Sequence, residues 1–283
     1  MAIIQWYPGH MSKARRQVQE NIKHVDFVTI LVDARLPLSS QNPMLNKIVG
    51  DKPKLMILNK ADLADSIRTT QWRSFFENQG IKTLAINSKD QSAVKKVTDA
   101  AKELMADKIA KLRERGIQKE TLRTMIIGIP NAGKSTLMNR LAGKKIAVVG
   151  NKPGVTKGQQ WLKSNKDLEI LDTPGILWPK FEDEVVGLKL ALTGAIKDQL
   201  LPMDEVTIFG INYFKQHYAD RLLERYKGIN LDEEAPEIIM TMTQKLGFRD
   251  DYDRFYNLFV KDVRDGKLGR YTLDIVGETD GND

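Results

Sequence analysis

The 283 residues carry 44 Lys and Arg against 37 Asp and Glu, a net charge of +7, and 41% of them are hydrophobic. This is a globular composition, long enough for one large domain or two ordinary ones, and its basic balance favours a polyanionic partner. The absence of cysteine excludes disulfide frameworks, thiolate metal sites and cysteine nucleophiles.

The chain opens with a basic stretch in which Lys13, Arg15, Arg16 and Lys23 follow Trp6, Tyr7 and His10. It lacks the apolar core of a secretory signal, and no later apolar run approaches the ~18 residues that span a bilayer. The expectation is a cytoplasmic protein without a membrane segment. His10, His24 and His217 lie too far apart for a local metal motif.

Residues 25–32 are rich in β-branched and aliphatic residues and predict a buried strand, as do 55–58, 83–86, 124–129 and 168–171. Apolar residues at helical spacing predict one helix over 92–115, and a second follows at 136–142. Alternating strands and helices imply a mostly parallel sheet covered on both faces, an α/β domain. Beyond residue 179 the pattern changes to amphipathic helices at 204–218, 220–227, 235–246 and 252–264. The predicted domains are therefore 1–178 and an all-α 179–283. Residues 1–179 hold 30 Lys and Arg against 16 Asp and Glu, and residues 180–283 hold 14 against 21. A part of net charge +14 thus joins one of −7. The stretch 271–283 has four acids and no basic residue, and reads as a frayed, solvated tail.

Gly128-Ile-Pro-Asn131-Ala132-Gly133-Lys134-Ser135 follows a predicted strand and precedes a helix, the context of a phosphate-binding P-loop. Backbone N–H groups there wrap phosphates at a helix N-terminus, where Thr136 follows. Lys134 reaches the β- and γ-phosphates and Ser135 ligates Mg²⁺. Asp172-Thr-Pro-Gly175 follows the strand at 168–171. Asp172 suits the magnesium-side carboxylate, and Gly175 allows a backbone N–H close to a γ-phosphate. Thr156, between these motifs, suits a residue that completes the Mg²⁺ shell. Asn59-Lys60-Ala-Asp62 also follows a strand. A carboxylate at 62 can accept from guanine N1–H and the 2-amino group, which selects GTP over ATP. Asn59 would brace the loop, and the Lys60 stem would lie along the base. Asn87-Ser88-Lys89 either supplies a backbone contact to the guanine oxygen or is a plain loop.

These motifs resemble those of the translation-factor-related GTPases in permuted order, with the base-reading motif ahead of the P-loop. Trp6-Tyr-Pro-Gly-His10-Met-Ser-Lys13-Ala14, Val32-Asp-Ala-Arg35 and Asp262-Val-Arg264-Asp-Gly266-Lys-Leu-Gly269-Arg270 closely match the ribosome biogenesis GTPase A family. The resemblance covers nearly the whole chain. It implies a circularly permuted P-loop GTPase domain followed by a small helical domain. It also implies GTP hydrolysis coupled to late assembly of the large ribosomal subunit, with rRNA and ribosomal proteins as partners. The chain is expected to be a monomer.

Ile176 stands where many GTPases place a water-orienting glutamine, so slow intrinsic turnover is expected; the resemblance points to His10 as the missing group. Asn131 resembles the P-loop asparagine of K⁺-activated GTPases. RNA binding is implied for the helical domain, with Lys245, Arg249, Arg254, Lys261, Arg264, Lys267 and Arg270 as candidates. Lys13, Arg15 and Arg16 in the arm, and Lys144, Lys145, Lys152 and Lys157 around the threonine loop, are further phosphate contacts. The alternative reading is a GTP-gated RNA-binding scaffold for which hydrolysis is incidental.

Overall fold

The computed structural model describes residues 9–117, 121–143, 161–164, 167–178, 181 and 183–278. Six strands form one sheet in the order β3-β2-β1-β4-β6-β5. They are β1 (Phe27–Asp33), β2 (Lys54–Asn59), β3 (Lys82–Ile86), β4 (Leu122–Ile127), β5 (Trp161–Lys163) and β6 (Leu168–Leu171). All neighbours are parallel except the β5–β6 pair. Central β1 is buried along its whole length, as a parallel strand covered on both faces must be. The five predicted strands are all present. Edge strand β5 escaped prediction because it is three residues long and only Leu162 faces inward.

Helix α1 (Gly9–Asn21) occupies most of the expected basic arm. Met11, Ala14 and Val18 recur at helical spacing and are buried, while Lys13, Arg15 and Arg16 stay exposed. This part of the chain is therefore a docked helix with a basic outer face and not a free arm. Helices α2 (Pro43–Val49) and α3 (Ser66–Asn78) follow β1 and β2. The helix expected over 92–115 breaks at Met105, whose φ of −103° and ψ of 19° leave the α region, into α4 (Ser92–Leu104) and α5 (Ala106–Glu114). α4 buries a full stripe; α5 buries no residue fully, so no core face holds the two in one line. α6 (Lys134–Ala142) begins in the P-loop.

The second half contains α7 (Glu184–Leu192), α8 (Met203–His217), α9 (Ala219–Arg225), α10 (Ala235–Lys245) and α11 (Tyr252–Arg264). α7 was not foreseen because it is apolar nearly all round, with no polar stripe to set a period. Phe214, Phe255 and Phe259 anchor the helical core.

The segment 271–274 corrects the expectation of a solvated tail. Tyr271, Thr272, Leu273 and Asp274 are buried against the first half. Leu273 N–H donates to Arg35 O at 2.8 Å, and Trp72 Nε1 donates to Asp274 O at 3.1 Å. The Asp274 carboxylate accepts from Leu38 N–H (2.8 Å), Ser39 N–H (2.8 Å), Ser39 Oγ (2.6 Å) and Lys189 Nζ (3.1 Å). A buried acid is tolerated when donors surround it, so sequence acidity here signalled a satisfied interior group and not solvation. Among the described residues no helix is long and apolar enough to cross a membrane.

Candidate functional site

Three loops leave the carboxyl ends of β4, β6 and β2, where open α/β sheets place their ligands. The P-loop turns from β4 into α6. Gly133 caps α6 with φ +100°, and a Cβ there would stand 2.2 Å from Asn59 Nδ2. Glycine is required on both counts. Ala132 is buried, while Ser135 and Thr136 are part-exposed in the first turn of α6, its amide-rich end.

Lys134 is buried, and its Nζ donates to Gly128 O (3.0 Å) and Ile129 O (2.6 Å). Burial pulls its ammonium down to about 8, against the opposing pull of Asp172. Asp172 sits just beyond β6. Burial pushes its carboxyl up to about 6, although Lys134 and the Thr173 N–H favour the charged form. Both groups are therefore uncomfortable when charged. An anionic ligand beside Lys134 and a cation beside Asp172 would relieve this strain. Gly175 packs on the P-loop, where a Cβ would meet Lys134 Nζ and Pro130 Cα at 2.9 Å. Ile176 N–H donates to Gly128 O (3.2 Å), its carbonyl accepts from Asn42 Nδ2 (2.9 Å), and its side chain is fully buried.

Asn59 joins the loop expected to read the base to its neighbours. Its Nδ2 donates to Ala132 O (2.7 Å), and its Oδ1 accepts from Ser88 N–H (3.0 Å) and Ser88 Oγ (2.7 Å). Lys60 has φ +60° and its Nζ reaches Asp33 Oδ2 at 2.8 Å. Asp62 is exposed beside it. Asn87 closes its own turn by accepting from Lys89 N–H at 2.9 Å. Asn131, at φ +58°, donates through Nδ2 to Gly194 O (2.6 Å) in the turn after α7. Asn59, Lys60, Asn87, Ser88, Asn131, Ala132, Gly133, Lys134, Ser135, Thr136, Asp172 and Gly175 thus lie on a strand end, loops or a helix start at one end of the sheet.

The His10 side chain, Thr156, Lys144, Lys145, Lys152 and Lys157 lie outside the described residues. Of the helical-domain cations, Arg264 spans the Ala191 and Leu192 carbonyls and Asp198. Lys267 pairs with Asp262 at 2.9 Å, Lys245 donates to Gly228 O, and Arg254 lies over Phe248. These contacts give Arg264, Lys267 and Lys245 structural tasks that spacing alone did not reveal. Arg249, Lys261 and Arg270 are exposed.

Asp33, Arg35 and Asn42 were missed as site residues. An acid closing a mostly apolar strand, with an arginine two residues further on, was the available signal, because unpaired charges are not buried there.

Among the described residues no group of three or more His, Asp or Glu is placed to hold a metal. Ser135 and Asp172 are a sparse set of hard oxygen donors. They fit Mg²⁺, which keeps several waters and takes phosphate oxygens as ligands.

A family described as 50S ribosome-binding GTPase matches residues 123–242. Ribosome biogenesis GTPase A of Bacillus licheniformis is 48% identical over 276 residues, covering 94% of this chain and 96% of its own. That of Bacillus cereus is 48% identical over 281 residues, covering 96% and 94%. The crystal structure of GNP-bound YlqF from T. maritima is 26% identical with a TM-score of 0.64, covering 94% of this chain and all of that one. Motif order, loop geometry and similarity along nearly the full length agree: the chain belongs to the ribosome biogenesis GTPase A family, as a P-loop enzyme that hydrolyses GTP in ribosome assembly.

Proposed function

We propose that this GTPase binds immature large ribosomal subunits and acts late in their maturation, its GTP state controlling binding and release. Residues 1–178 are the hydrolytic part and 179–283 the part that responds to nucleotide and faces the particle. The protein works in the cytoplasm as a monomer. The observation that carries the reading is the fully buried Ile176, locked between Gly128 and Asn42. The residue after Gly175 cannot orient water, so the free enzyme is slow and the particle completes the site.

In this reading Asn59, Lys60 and Asp62 hold guanine, with Asn87 and Ser88 beside it. Asn131, Ala132, Gly133, Ser135 and Thr136 wrap the phosphates, and Lys134 neutralises the β- and γ-oxygens. The Gly175 N–H faces the γ-phosphate. Mg²⁺, when held by Ser135, Thr156 and Asp172, supplies positive charge for the transferred phosphoryl group. His10 orients the attacking water. K⁺ binds at the Asn131 side-chain oxygen, while Nδ2 is turned to Gly194 O. That bond also ties the P-loop to the turn after α7, a route from nucleotide state to the helical domain. The exposed α1 face of Lys13, Arg15 and Arg16, with Arg249 and Arg270, contacts rRNA phosphates.

GTP turnover measured with and without purified large-subunit particles, in KCl and in NaCl, tests the proposal. Stimulation is expected, greater in K⁺, and lost in His10→Ala with GTP affinity intact. Equal turnover with and without particles would refute it.

A further inference from the structure

A carboxylate that reads a base discriminates only if the loop carrying it has one path. The loop around Asp62 is anchored on both sides. On the near side, Asn59 is fixed by Ala132 and Ser88, and the Lys60 ammonium is held by Asp33. On the far side, Leu63 O accepts from Tyr271 N–H at 3.1 Å, and Asp65 N–H donates to Thr272 Oγ1 at 3.2 Å. Two of these anchors come from the segment 271–274, some two hundred positions downstream.

Arg35 joins the two sides. The parallel register sets Asp33 beside Asn59. Arg35 grips Asp33 with both arms, Nε to Oδ1 at 2.9 Å and NH2 to Oδ2 at 2.8 Å. Its NH1 donates to Tyr271 OH at 3.0 Å, and its guanidinium lies 5.6 Å from the Tyr271 ring centroid. Only 2% of Arg35 is exposed, so this fork is held in a single arrangement. Burial alone would push the Asp33 carboxyl up; Arg35 and Lys60 instead hold it well below the usual carboxylate range, and it remains an anion for Lys60. Lys60 occupies the left-handed region, which a non-glycine residue keeps only when its surroundings dictate it.

We propose that Arg35 is a positioning residue for guanine selection, bracing Lys60 through Asp33 and joining the base-reading loop to the segment 271–274. The proposal rests on the assignment of Asn59, Lys60 and Asp62 to the base. It makes selectivity for guanine depend on a piece of the helical half docked on the GTPase half.

Binding of GDP and IDP to the full chain provides the test. IDP lacks the 2-amino group, so the ratio of the two dissociation constants reads the placement of Asp62. One hydrogen bond makes that ratio about fivefold in the unaltered protein. Arg35→Lys loses the two-armed grip on Asp33, and Thr272→Val removes the acceptor for Asp65 N–H. Each is expected to weaken GDP by about five- to tenfold and IDP by less, so that the ratio falls toward one. The kcat at saturating GTP should stay within about twofold while KM rises. Thermal unfolding identifies the variants that fold, and Thr272→Val serves if Arg35→Lys does not. A retained ratio, with both affinities unchanged or both falling in parallel, overturns the proposal. Asp62→Asn separates this failure from that of the base assignment. It should lose GDP and gain XDP, whose 2-carbonyl can accept from the new amide. If it does not, the base assignment falls and the proposal with it; if it does and the ratio holds in the other variants, the proposal alone falls.

Discussion

Asn59→Ala probes the joint between the loop after β2 and the P-loop. The side chain is buried and makes three hydrogen bonds, to Ala132 O, Ser88 N–H and Ser88 Oγ. At about 1 kcal/mol net for each, their loss removes about 3 kcal/mol. Some of this appears as lost stability. The remainder appears as weaker nucleotide binding, because GDP must then order the loops itself; the ceiling is about two decades in Kd. Urea unfolding and calorimetric GDP titration of the same protein apportion the two. Ser88→Ala removes one of the three bonds and should cost about 1 kcal/mol. In the double variant that bond is already gone, so the two effects should fall short of additivity by about 1 kcal/mol. Full additivity, together with a GDP Kd within about threefold of the unaltered protein, would show that Asn59 does not join the loops.

Gly133→Ala should abolish GDP binding while circular dichroism stays native, since φ +100° and a Cβ 2.2 Å from Asn59 Nδ2 forbid the loop; tight binding would show that the P-loop tolerates a side chain. If Asp172 holds Mg²⁺ as proposed, it must be ionised to do so, and its carboxyl is pushed up to about 6. The apparent Mg²⁺ affinity in GTPase assays should therefore fall by up to about tenfold per pH unit below about 6 and level off above it. Stability of the nucleotide-free protein moves the other way: the folded form keeps a proton that an unperturbed carboxyl releases near 3.8, so this contribution declines as pH rises toward about 6. An Mg²⁺ affinity flat from about pH 5 to 7 would exclude Asp172 from the metal shell. Asp274→Ala strips Lys189 of a buried carboxylate and orphans the Leu38 and Ser39 donors; a loss of about 3–5 kcal/mol in urea unfolding is expected, and a loss below about 1 kcal/mol would contradict the burial argument.

Long-range pairing decides which features were legible in the chain. The buried parallel strands announce themselves because each is rich in apolar residues, as in 27–33. The P-loop and Asn59-Lys60-Ala-Asp62 are equally local: short words whose chemistry depends on nearby backbone. Strand β5 was invisible since its partner, not its composition, makes it a strand. The break at Met105 was invisible because apolar spacing continues through it. Asp33 and Arg35 belong to the site only through the register of β1 and β2, which sets residue 33 beside residue 59. Arg264 and Lys267 looked like free cations because their partners, Asp198 and Asp262, are recognised only once the helices pack.

A half of charge +14 joined to a half of charge −7 invites a measurement of each half's RNA affinity alone. The structure argues against that separation. Ending the chain at 178 would remove Tyr271 from Arg35, Thr272 from Asp65, and Asp274 from Trp72 and Ser39. It would expose core in the first half and loosen the loop after β2. The acidic half is therefore docked on the loop proposed to read the base, and its charge is partly internal: Asp262 and Asp274 are buried and paired. Counting them as surface charge overstates the repulsion that this half would exert on rRNA. The electrostatic contribution of each half is better read in the full chain, by neutralising Lys13, Arg15 and Arg16 on α1, or Arg249 and Arg270 on the helical side. Each phosphate contact removed should lessen the salt dependence of particle binding by about one unit of slope.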